Sequence, residues 1–406
     1  MSQLSRLIAE LSPTGVDHRP LGSVGEFVRG GGLQKSDLQG SGHPAIHYGQ
    51  IHTTYGVWTT TTKSFVAPDM AARLRRAKPG DVVLATTSED DAAVGKATAW
   101  LGEMEAAVSG DAFIFRHGMD PKFVSYFLAS TSFQVQKRPF ITGAKVRRLS
   151  GADLGKIVVP VPPLEVQREI VRILDNFTEL EAELEAELEA RRVQYAHLRD
   201  ELLIRGSTSF EPLGTVGSFV RGRRFTKNDR VDEHGIGSIH YGEIYTHYGV
   251  SAAEAKTSVR PELRPQLRFA GKGDVVFAAV GETVEDVGKA VAWLGDEPVA
   301  VHDDCFTFRH TLNPKYVSYW SQTSAFHDAK AQYVARAKVK RLSGENLAKI
   351  PIALRPLDDQ ERIVETLDAF DALLNDLSIG LPAELAARRR QYEYYRDKLL
   401  TFEEAK

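Results

Sequence analysis

A histidine, a tyrosine, a glycine and an amide or carboxylate residue stand side by side at two places in the sequence. The two motifs are His47-Tyr48-Gly49-Gln50 and His240-Tyr241-Gly242-Glu243. Ring nitrogens, amides and carboxylates of this kind can hydrogen-bond to the edges of nucleic-acid bases or lie on a phosphate backbone. On a base edge, glutamine prefers adenine and glutamate accepts from cytosine. The alternative is that the rings are core side chains beside a strand, with their polar atoms satisfied.

Basic residues recur at matching positions and suit contact with phosphates. Arg29 aligns with Arg221, and the basic residues that follow are Lys35 in the first stretch and Arg223, Arg224 and Lys227 in the second. A second basic group holds three cations within four residues and occurs twice, as Lys145, Arg147 and Arg148 and as Lys338, Lys340 and Arg341. The repetition of so dense a group favours phosphate contact. Solvated basic loops without a ligand are the alternative.

The segment 86–91 differs from its counterpart 279–284, although the residues that frame the two segments repeat. The first segment contains Thr86 and Thr87, and the second contains Glu282. A loop that varies on a constant scaffold is typical of a recognition loop. A surface loop without a ligand is the alternative. We refer to 86–91 and 279–284 as the variable loops.

The sequence contains no recognisable motif for catalysis. GxxxxGK[ST], GxGxxG, HExxH and GxSxG are all absent. The Asn/Asp-Pro-Pro-aromatic tetrapeptide that is usual in amino-methyltransferases is absent too. The run His302-Asp303-Asp304-Cys305 resembles a metal cluster, but its counterpart at 109–112 keeps one of the four residues. We interpret it as a loop and the start of a strand, and we predict no metal site and no catalytic residue.

These features recur because the chain is a tandem repeat. With a shift of 193 residues and no gaps, 61 of the 132 positions from 46 to 177 are identical to those of 239–370. This unit is much longer than the roughly 20–50 residues of a solenoid repeat, so each copy is expected to be a domain. The candidate residues therefore form two matched sets.

Each copy begins with short apolar runs between turn residues. The runs at 81–85 and 112–115 are expected to be strands of a compact mixed domain. Apolar residues recur at helical spacing at 121–132 and predict a helix. Asp81 is expected to cap the turn before its strand, and His117 to lie at a strand end. The predicted fold class is α+β, with two tandem mixed α/β domains separated by two long helices.

Prolines at 160–163 lead into a long helix with an apolar seam of period 3.5. The expected seam residues are Ile170, Leu174, Phe177, Leu184 and Leu188 in the first copy, and Ile363, Leu367, Phe370 and Leu374 in the second. Two such helices in one chain can pair with each other, and an antiparallel pair would carry one globular domain at each end. Gly380-Leu381-Pro382 predicts a kink or break in the second helix. An ordinary amphipathic surface helix is the alternative.

Charge is segregated along the chain, although the whole chain carries only -3. The segments 163–205 and 357–402 carry -5 and -4, which leaves +6 for the globular regions. Mildly basic domains suit nucleic-acid binding that partner proteins supplement. The single cysteine, Cys305, excludes an intrachain disulfide and suits a reducing, cytoplasmic setting. No apolar run approaches the roughly 18 residues of a membrane span, and the first residues are not a secretory signal, so we expect a soluble protein without membrane contact.

With this organisation the sequence resembles the specificity subunit of type I restriction-modification systems. Gly80-Asp81-Val82-Val83, followed by Gly95-Lys96, is similar to the family's strand and loop that begin with Gly-Asp. The start of the family's helix is matched twice, by Pro163-Leu164, Gln167, Ile170-Val171 and Leu174-Asp175 and by Pro356-Leu357, Gln360, Ile363-Val364 and Leu367-Asp368. The resemblance covers about Leu21 to Leu400, and two copies in the same order make it specific.

The resemblance implies two target-recognition domains, each reading one half of a bipartite double-stranded DNA sequence. The antiparallel coiled coil would set the unspecified spacer and bind two adenine-methyltransferase subunits, and restriction subunits would join that core. S-adenosylmethionine, ATP and Mg²⁺ would belong to those partners, with no cofactor in this chain. The predicted boundaries are 1–160 for the first target-recognition domain, 161–205 for the first long helix, 206–354 for the second domain and 355–406 for the second helix.

The likeness of the two copies adds a prediction about the target. An antiparallel coiled coil would relate the two readers by a pseudo-twofold axis and present them to opposite strands. We therefore predict a partly palindromic target. The pair Gln50/Glu243 and the two variable loops would mark the bases at which the half-sites differ.

Three other functions are compatible with the sequence alone. A two-headed DNA reader of another modification or defence assembly would lack the type I partner subunits. A coiled-coil scaffold for proteins would lack salt-dependent DNA binding. An enzyme with duplicated domains is kept open only by the repeated pairs Asp81/Asp274 and His117/His310, which have no evident catalytic partner.

Overall fold

A computed structural model describes residues 3–207, 209–334, 339–375 and 379–405. The chain forms two compact units. Unit 1 comprises Met1–Glu185 and Glu384–Lys406, and unit 2 comprises Ala186–Ala383. The boundaries predicted from the sequence follow single elements, whereas each compact unit combines a globular domain with parts of both long helical regions.

The helices of unit 1 are short except for the one that continues into unit 2. They are α1 (Gln3–Leu11), α2 (Leu21–Val24), α3 (Tyr48–Thr53), α4 (Pro68–Ala71), α5 (Pro121–Ala129), α6 (Thr131–Lys137), α7 (Gly151–Leu154) and α8 (Leu164–Ile204). The helix predicted at 121–132 is thus two helices. They are separated at Ser130, whose hydroxyl caps α6 by accepting the backbone N–H of Phe133 at 3.3 Å.

The strands of unit 1 form two main sheets and two small ladders. They are β1 (His18–Pro20), β2 (Gly25–Arg29), β3 (His43–Ile46), β4 (Trp58–Thr59), β5 (Ser64–Val66), β6 (Arg76–Ala77), β7 (Val82–Ala85), β8 (Thr87–Ser88), β9 (Ala97–Trp100), β10 (Ala106–Val108), β11 (Ala112–His117), β12 (Arg147–Arg148) and β13 (Val158–Pro160). The sheet orders are β2-β11-β7-β9-β4 and β5-β3-β10-β6, and the ladders are β1-β13 and β8-β12.

Unit 2 repeats this plan. Its strands are β14 (Ser209–Pro212), β15 (Gly217–Arg221), β16 (Arg230–Val231), β17 (Ile236–Ile239), β18 (Ser251–Ala252), β19 (Thr257–Val259), β20 (Phe269–Ala270), β21 (Val275–Ala278), β22 (Val280–Gly281), β23 (Ala290–Trp293), β24 (Val299–Val301), β25 (Cys305–His310), β26 (Lys340–Arg341) and β27 (Pro351–Leu354). The sheet orders are β15-β25-β21-β23-β18 and β16-β19-β17-β24-β20, with ladders β14-β27 and β22-β26.

The helices of unit 2 follow in the same order, and the last one belongs mainly to unit 1. They are α9 (Leu213–Val216), α10 (Tyr241–Thr246), α11 (Pro314–Trp320), α12 (Ser324–Ala331), α13 (Gly344–Leu347), α14 (Leu357–Asn375) and α15 (Gly380–Leu399). In the described part of the chain, no helix is long and apolar enough to cross a membrane.

The central sheet of unit 1 is buried on both faces, which explains the apolar run at 82–85. Successive side chains of a strand point to opposite faces. Val82 and Leu84 accordingly join the cluster that contains Phe123 of α5, whereas Val83 joins the cluster that contains Trp100. A strand that is covered on both faces has a continuous apolar sequence. The strands predicted at 81–85 and 112–115 are confirmed.

Within unit 1, the first part of α8 pairs with α15. Ile170 and Leu174 are fully buried in the core of the domain, and the ring of Phe177 stacks on Tyr395 at 5.5 Å. One helical turn further along α8, Glu181 accepts from Arg389 Nε at 2.6 Å. The partner of the later α8 residue is the earlier residue of α15, so the two segments run antiparallel, as the family resemblance implies.

Within unit 2, the remainder of α8 faces α14. Leu188, Ile363, Leu367 and Leu374 are buried, whereas Phe370 is 41% exposed. Tyr195 and Leu198 of α8 line a cavity of about 430 Å³ together with Phe370 and Leu374 of α14. Leu184, near the end of the unit 1 part of α8, is half-buried.

The second helical region is broken where the sequence predicts a break. Helix α14 ends at Asn375 and α15 begins at Gly380, while 376–378 lie outside the described residues. Gly380 has a φ of +65°, and a Cβ atom there would lie 2.6 Å from the carbonyl oxygen of Leu373. Only glycine adopts this conformation without strain. Pro382 follows in the first turn of α15, where a missing N–H costs no hydrogen bond.

Candidate nucleic-acid interface

The variable loop meets the basic group in both units, although the two lie about 60 residues apart in sequence. In unit 1, β8 of the loop pairs with β12, so that Thr87 faces Arg148. In unit 2, β22 pairs with β26, so that Val280 faces Arg341. Two features that the sequence suggests separately for nucleic-acid contact are therefore one surface in the structure. We call each such pair of strands a reading ladder.

The cations of the reading ladders keep their charged groups at the surface. Arg148 and Lys145 are exposed, and Arg147 is half-buried because its Nε binds Asp91 of the variable loop at 2.7 Å. In unit 2, Arg341 is exposed and its Nη1 lies 3.5 Å from Asp304. Both ion pairs are partly exposed to solvent, and such pairs are weak.

Lys340 is half-buried beside Arg341 in β26 and forms an interaction of its own. Lys338, the remaining predicted cation of this group, lies outside the described residues.

A second pair of arginines is held by backbone carbonyls next to the ladders. Arg29 Nε donates to Gly110 O at 2.9 Å, and Arg221 Nε donates to Asp303 O at 2.8 Å. Arg221 and Arg341 line one cleft of about 190 Å³ with Asp303 and Asp304. The structure thus brings two of the predicted cationic groups of unit 2 together.

The sequence analysis missed one matched pair of arginines. Arg75 Nη1 donates to the backbone oxygen of Arg29 at 2.8 Å, and Arg268 Nη1 donates to that of Arg221 at 2.8 Å. Both arginines follow a leucine and align in the 193-residue shift, which is the signal that could have identified them.

The other predicted basic residues surround these arginines. Arg223 and Arg224 line a polar cleft of about 430 Å³ with Arg268. Lys35 and Lys227 are exposed at the first position of short 3-10 turns, Lys35–Asp37 and Lys227–Asp229. Because Arg223 and Arg224 have no basic counterpart in unit 1, unit 2 has the denser basic surface. Further 3-10 turns span Arg138–Phe140 and Pro261–Gln266.

A tyrosine-lined cleft of about 490 Å³ lies beside the reading ladder of unit 2. It is lined by Tyr241, Tyr245, Glu282 and Val339. Tyr241 and Glu282 were predicted from separate motifs, and Glu282 is exposed. Tyr48, the counterpart of Tyr241 in unit 1, is half-buried with its backbone N–H on Ser109 Oγ at 2.8 Å. Aromatic faces are a common platform for bases, although two acidic residues, Glu282 and Asp286, also line this cleft.

The histidines of the repeated motifs cap helices. His47 Nδ1 accepts from Gly49 N–H at 3.2 Å at the start of α3, and His240 Nδ1 accepts from Gly242 N–H at 3.3 Å at the start of α10. Burial lowers the pKa of both rings, which keeps the accepting nitrogen unprotonated. The Nδ1 atom of each histidine is therefore used inside the domain, which favours the alternative of a structural role for these rings.

Gln50 and Glu243 are also held within the domains. Gln50 Oε1 accepts from His47 N–H at 3.3 Å, and its amide donates to Ser64 Oγ at 2.7 Å. Glu243 is 8% exposed and accepts from the His240 backbone, Arg230 and Thr257 at 2.8–3.2 Å. Base reading by either side chain has no support in these contacts, because their polar atoms already have partners.

Thr86 and Thr87 are buried at the base of the variable loop, with exposures of 6% and 8%. Thr86 Oγ1 donates to Asp111 O at 3.1 Å, and Thr87 Oγ1 donates to Asp111 Oδ1 at 3.3 Å. Their hydroxyl groups therefore shape the loop. The exposed part of the loop begins after Ser88.

The repeated aspartates and histidines have structural positions. Asp81 Oδ2 accepts from Lys78 N–H at 2.7 Å, and Asp274 Oδ2 accepts from Gly271 N–H at 2.8 Å, which closes the turn before β7 and β21. His117 and His310 end β11 and β25, and burial lowers the pKa of each to about 4. Both expectations for these residues are confirmed.

His302, Asp303 and Asp304 offer potential metal ligands within 4.8 Å of one another. His302 Nδ1 accepts from Asp304 N–H at 3.2 Å, and its Nε2 lies 3.0 Å from Phe225 O. Both ring nitrogens are thus engaged in hydrogen bonds within the domain. Cys305 begins β25, in agreement with the interpretation as a loop and the start of a strand.

Comparison with known proteins identifies the family model for the type I restriction modification DNA specificity domain. It matches residues 13–190 and again 212–387. A putative type I restriction enzyme specificity subunit of Haemophilus influenzae is 31% identical over 322 residues, which are 76% of this chain and 78% of that protein. The specificity subunit of the Escherichia coli enzymes EcoR124I and EcoR124II is 30% identical over 293 residues, which are 69% and 70% of the two chains.

A solved structure shares the fold over nearly the whole chain. It comes from work on complex assembly and conformational transition of the type I restriction-modification system. The superposition has a TM-score of 0.64 at 18% identity and covers 96% of this chain and 98% of that one. At this identity the likeness establishes the fold.

Proposed function

Because this chain belongs to the family of type I restriction-modification DNA specificity subunits and has two tandem target-recognition domains, we propose that each domain reads one half of a bipartite DNA sequence through its reading ladder. The observation that carries the proposal is the pairing of the variable loop with the basic strand, which recurs in both units. The loop differs between the copies, whereas each basic position keeps a positive charge, with Lys340 in place of Arg147. Such a division suits base reading by the loop and phosphate contact by the strand.

We further propose that catalysis resides in partner subunits. Two adenine-methyltransferase subunits would dock on the acidic helices, restriction subunits would join them, and S-adenosylmethionine and ATP with Mg²⁺ would bind there. The absence of catalytic motifs from the sequence supports this division. The framework shared by the two domains supports a partly palindromic target, and two unrelated half-sites would contradict that prediction.

The proposal is tested by a single-molecule map of methylated bases in the host genome, with and without this chain. The expected result is the loss of one split, adenine-methylated motif when the chain is deleted. The map would also give both half-sites and the spacer. A methylome that does not change would contradict the role in modification and favour a reader of another assembly or a protein scaffold.

The role of the reading ladders is tested by matched substitutions. Arg148→Ala and Arg341→Ala are each expected to weaken DNA binding by the assembled complex and to lower the slope of log affinity against log salt by about 1, because one phosphate contact is lost. Lys78→Ala and Lys272→Ala are the controls. These exposed lysines precede β7 and β21, whose other ends lead into the variable loops. Equal slopes for variants and controls would exclude the ladders as phosphate contacts.

A further inference from the structure

A lysine ammonium group is buried behind the variable loop in each unit. Lys137 is 1% exposed and Lys330 is 0% exposed. Lys137 Nζ donates to Ala92 O at 2.8 Å and to Val94 O at 2.5 Å. Lys330 Nζ donates to Glu285 O at 2.7 Å and to Val287 O at 2.6 Å. In both units, the two carbonyls lie where the chain leaves the variable loop.

Neither ammonium group has a carboxylate within ion-pair distance in the described part of the chain. Burial lowers the pKa of each lysine to about 8, and the nearby acids of the loop, Asp90 and Asp91 or Glu285 and Asp286, act in the opposite direction. A buried charge without a counter-ion is costly, and an apolar side chain of the same length would fill the space at a lower cost. Packing alone does not explain a lysine here.

The surrounding helix shows which feature is retained between the copies. In the ten positions 131–140, only Phe133 and Lys137 are identical to their counterparts, Phe326 and Lys330. In each unit the lysine Nζ lies 5.6 Å from the centre of that phenylalanine ring. The helix has changed almost everywhere except at the lysine and the ring beside it.

The other end of the variable loop is held by a second side chain. His52 Nε2 lies 3.0 Å from the carbonyl oxygen of Thr87, and Tyr245 Oη donates to that of Val280 at 2.6 Å. These two residues align, and so do their acceptors. The loop is therefore tied to the domain on both sides, and the exposed residues that would meet DNA lie between the two ties.

We propose that Lys137 and Lys330 are positioning residues that hold the variable loops in register with their half-sites. The inference rests on the proposed function of the reading ladders. Each lysine acts through backbone carbonyls, so that its action does not depend on the sequence of the loop. This explains how two loops of different sequence can be held by the same type of residue at the same aligned position. It also means that each lysine affects only the half-site that its own domain reads.

The experiment compares Lys137→Met and Lys330→Met in the complex assembled with its methyltransferase partners. Methionine fills the same space and removes the donor. Methylation rates are measured on the mapped target and on two sets of DNA, each with single-base changes in one half-site. Lys137→Met is expected to reduce discrimination by about tenfold in one half-site, the loss expected for one misplaced base contact. Lys330→Met is expected to do the same in the other half-site only.

The matched controls are Lys122→Met and Lys315→Met. Lys122 and Lys315 are also partly buried lysines, but each binds an aspartate of a long helix, Asp175 at 2.7 Å and Asp368 at 2.8 Å. These control variants are expected to change the stability of the complex. They are not expected to lower discrimination selectively in one half-site. A purely structural role of Lys137 would give the same pattern as these controls.

Unchanged discrimination in folded Lys137→Met and Lys330→Met complexes would overturn the proposal, and so would an equal loss in both half-sites. If a methionine variant does not assemble, Lys137→Gln or Lys330→Gln replaces it; glutamine is polar but one bond shorter than lysine and cannot reach both carbonyls, so the same selective loss in one half-site is expected. Failure of the proposed function looks different, because the unsubstituted complex would then show no preference for any split target.

Discussion

The first target-recognition domain has Gln50 where the second has Glu243, and the two residues perform the same task. Each accepts the backbone N–H of the preceding histidine and so closes the first turn of a short helix. The extra negative charge in the second domain is matched by Arg230, whose Nη2 lies 3.2 Å from the Glu243 carboxylate. The corresponding stretch of the first domain has no arginine. A difference that suggested base recognition is thus a charge change compensated inside the framework.

The variable loops differ without any such compensation. Their lysine anchors and their pairing with the basic strands are the same in both domains, while five of the six loop residues change, all but Glu89 and its counterpart Glu282. The comparison separates two kinds of difference. A framework difference is accompanied by a second change within the same domain, and a recognition difference is not.

The largest expected effect follows from exchanging the loops. Replacing 86–91 by the residues of 279–284 is expected to move the half-site preference of the first domain toward that of the second, by about tenfold or more, since base discrimination resides in such contacts. The modification map of cells that carry the chimera measures the change. Gln50→Glu is the control that should leave the preference unaltered. If the chimera still prefers the original half-site, base discrimination does not reside in the loop, and the distinction between loop and framework is wrong.

The framework side of the comparison is tested by breaking the charge pair. Arg230→Met leaves Glu243 without its cation and is expected to reduce the free energy of unfolding of unit 2 by about 1–3 kcal/mol, since a carboxylate left buried and unpaired is costly. Gln50→Glu is expected to destabilise unit 1 similarly. Hydrogen exchange of peptides from each unit reports the two losses separately. The double variant Arg230→Met/Glu243→Gln should regain most of the stability, and no recovery would mean that the arginine acts in another way.

A smaller loss of stability, equal in the two units, is expected from substitutions where each domain contacts its long helix. Asp175 accepts from Lys122 Nζ and Tyr126 Oη, and Asp368 accepts from Lys315 Nζ and Tyr319 Oη, with all four distances at 2.7–2.8 Å. Asp175→Asn and Asp368→Asn are each expected to lower the free energy of unfolding of their unit by about 1–2 kcal/mol, because a partly exposed ion pair is lost. Denaturant midpoints measure both. Clearly unequal losses would show that the two junctions are not equivalent.

The smallest expected effect is a difference in acid sensitivity. His327 of unit 2 has Gln134 as its counterpart, and burial lowers the pKa of His327 to about 4. The unfolded chain, in which histidine titrates near 6.5, therefore binds more protons between about pH 6.5 and 4, and stability falls as the pH falls through that window. His327→Gln should spare unit 2 part of that loss, under about 1 kcal/mol at pH 6. Identical pH profiles for the variant and the unsubstituted chain would contradict this.

The sequence predicts the repeat, the strands, the long helices with their seam and the break at Gly380, because period and glycine or proline placement are local signals. It does not predict that the variable loop and the basic group form one ladder, because that pairing joins segments about 60 residues apart. The capping role of His47 and Gln50 had a signal, since a polar residue followed three positions later by Gln or Glu marks a helix start. Lys137 had none, since a lysine in sequence is ordinarily a surface residue.

The discontinuity of unit 1 has a consequence for the order in which the chain matures during translation. Unit 2 is a single continuous stretch, Ala186–Ala383, whereas unit 1 needs Glu384–Lys406 to complete it. Helix α15 supplies Tyr395, which stacks on Phe177, and Asp397, which accepts from Thr131 Oγ1 at 2.5 Å. Domains generally fold as their residues emerge from the ribosome. The domain that is synthesised first is therefore completed last, and we expect the apolar surface around Phe177 to stay uncovered until α15 has been synthesised.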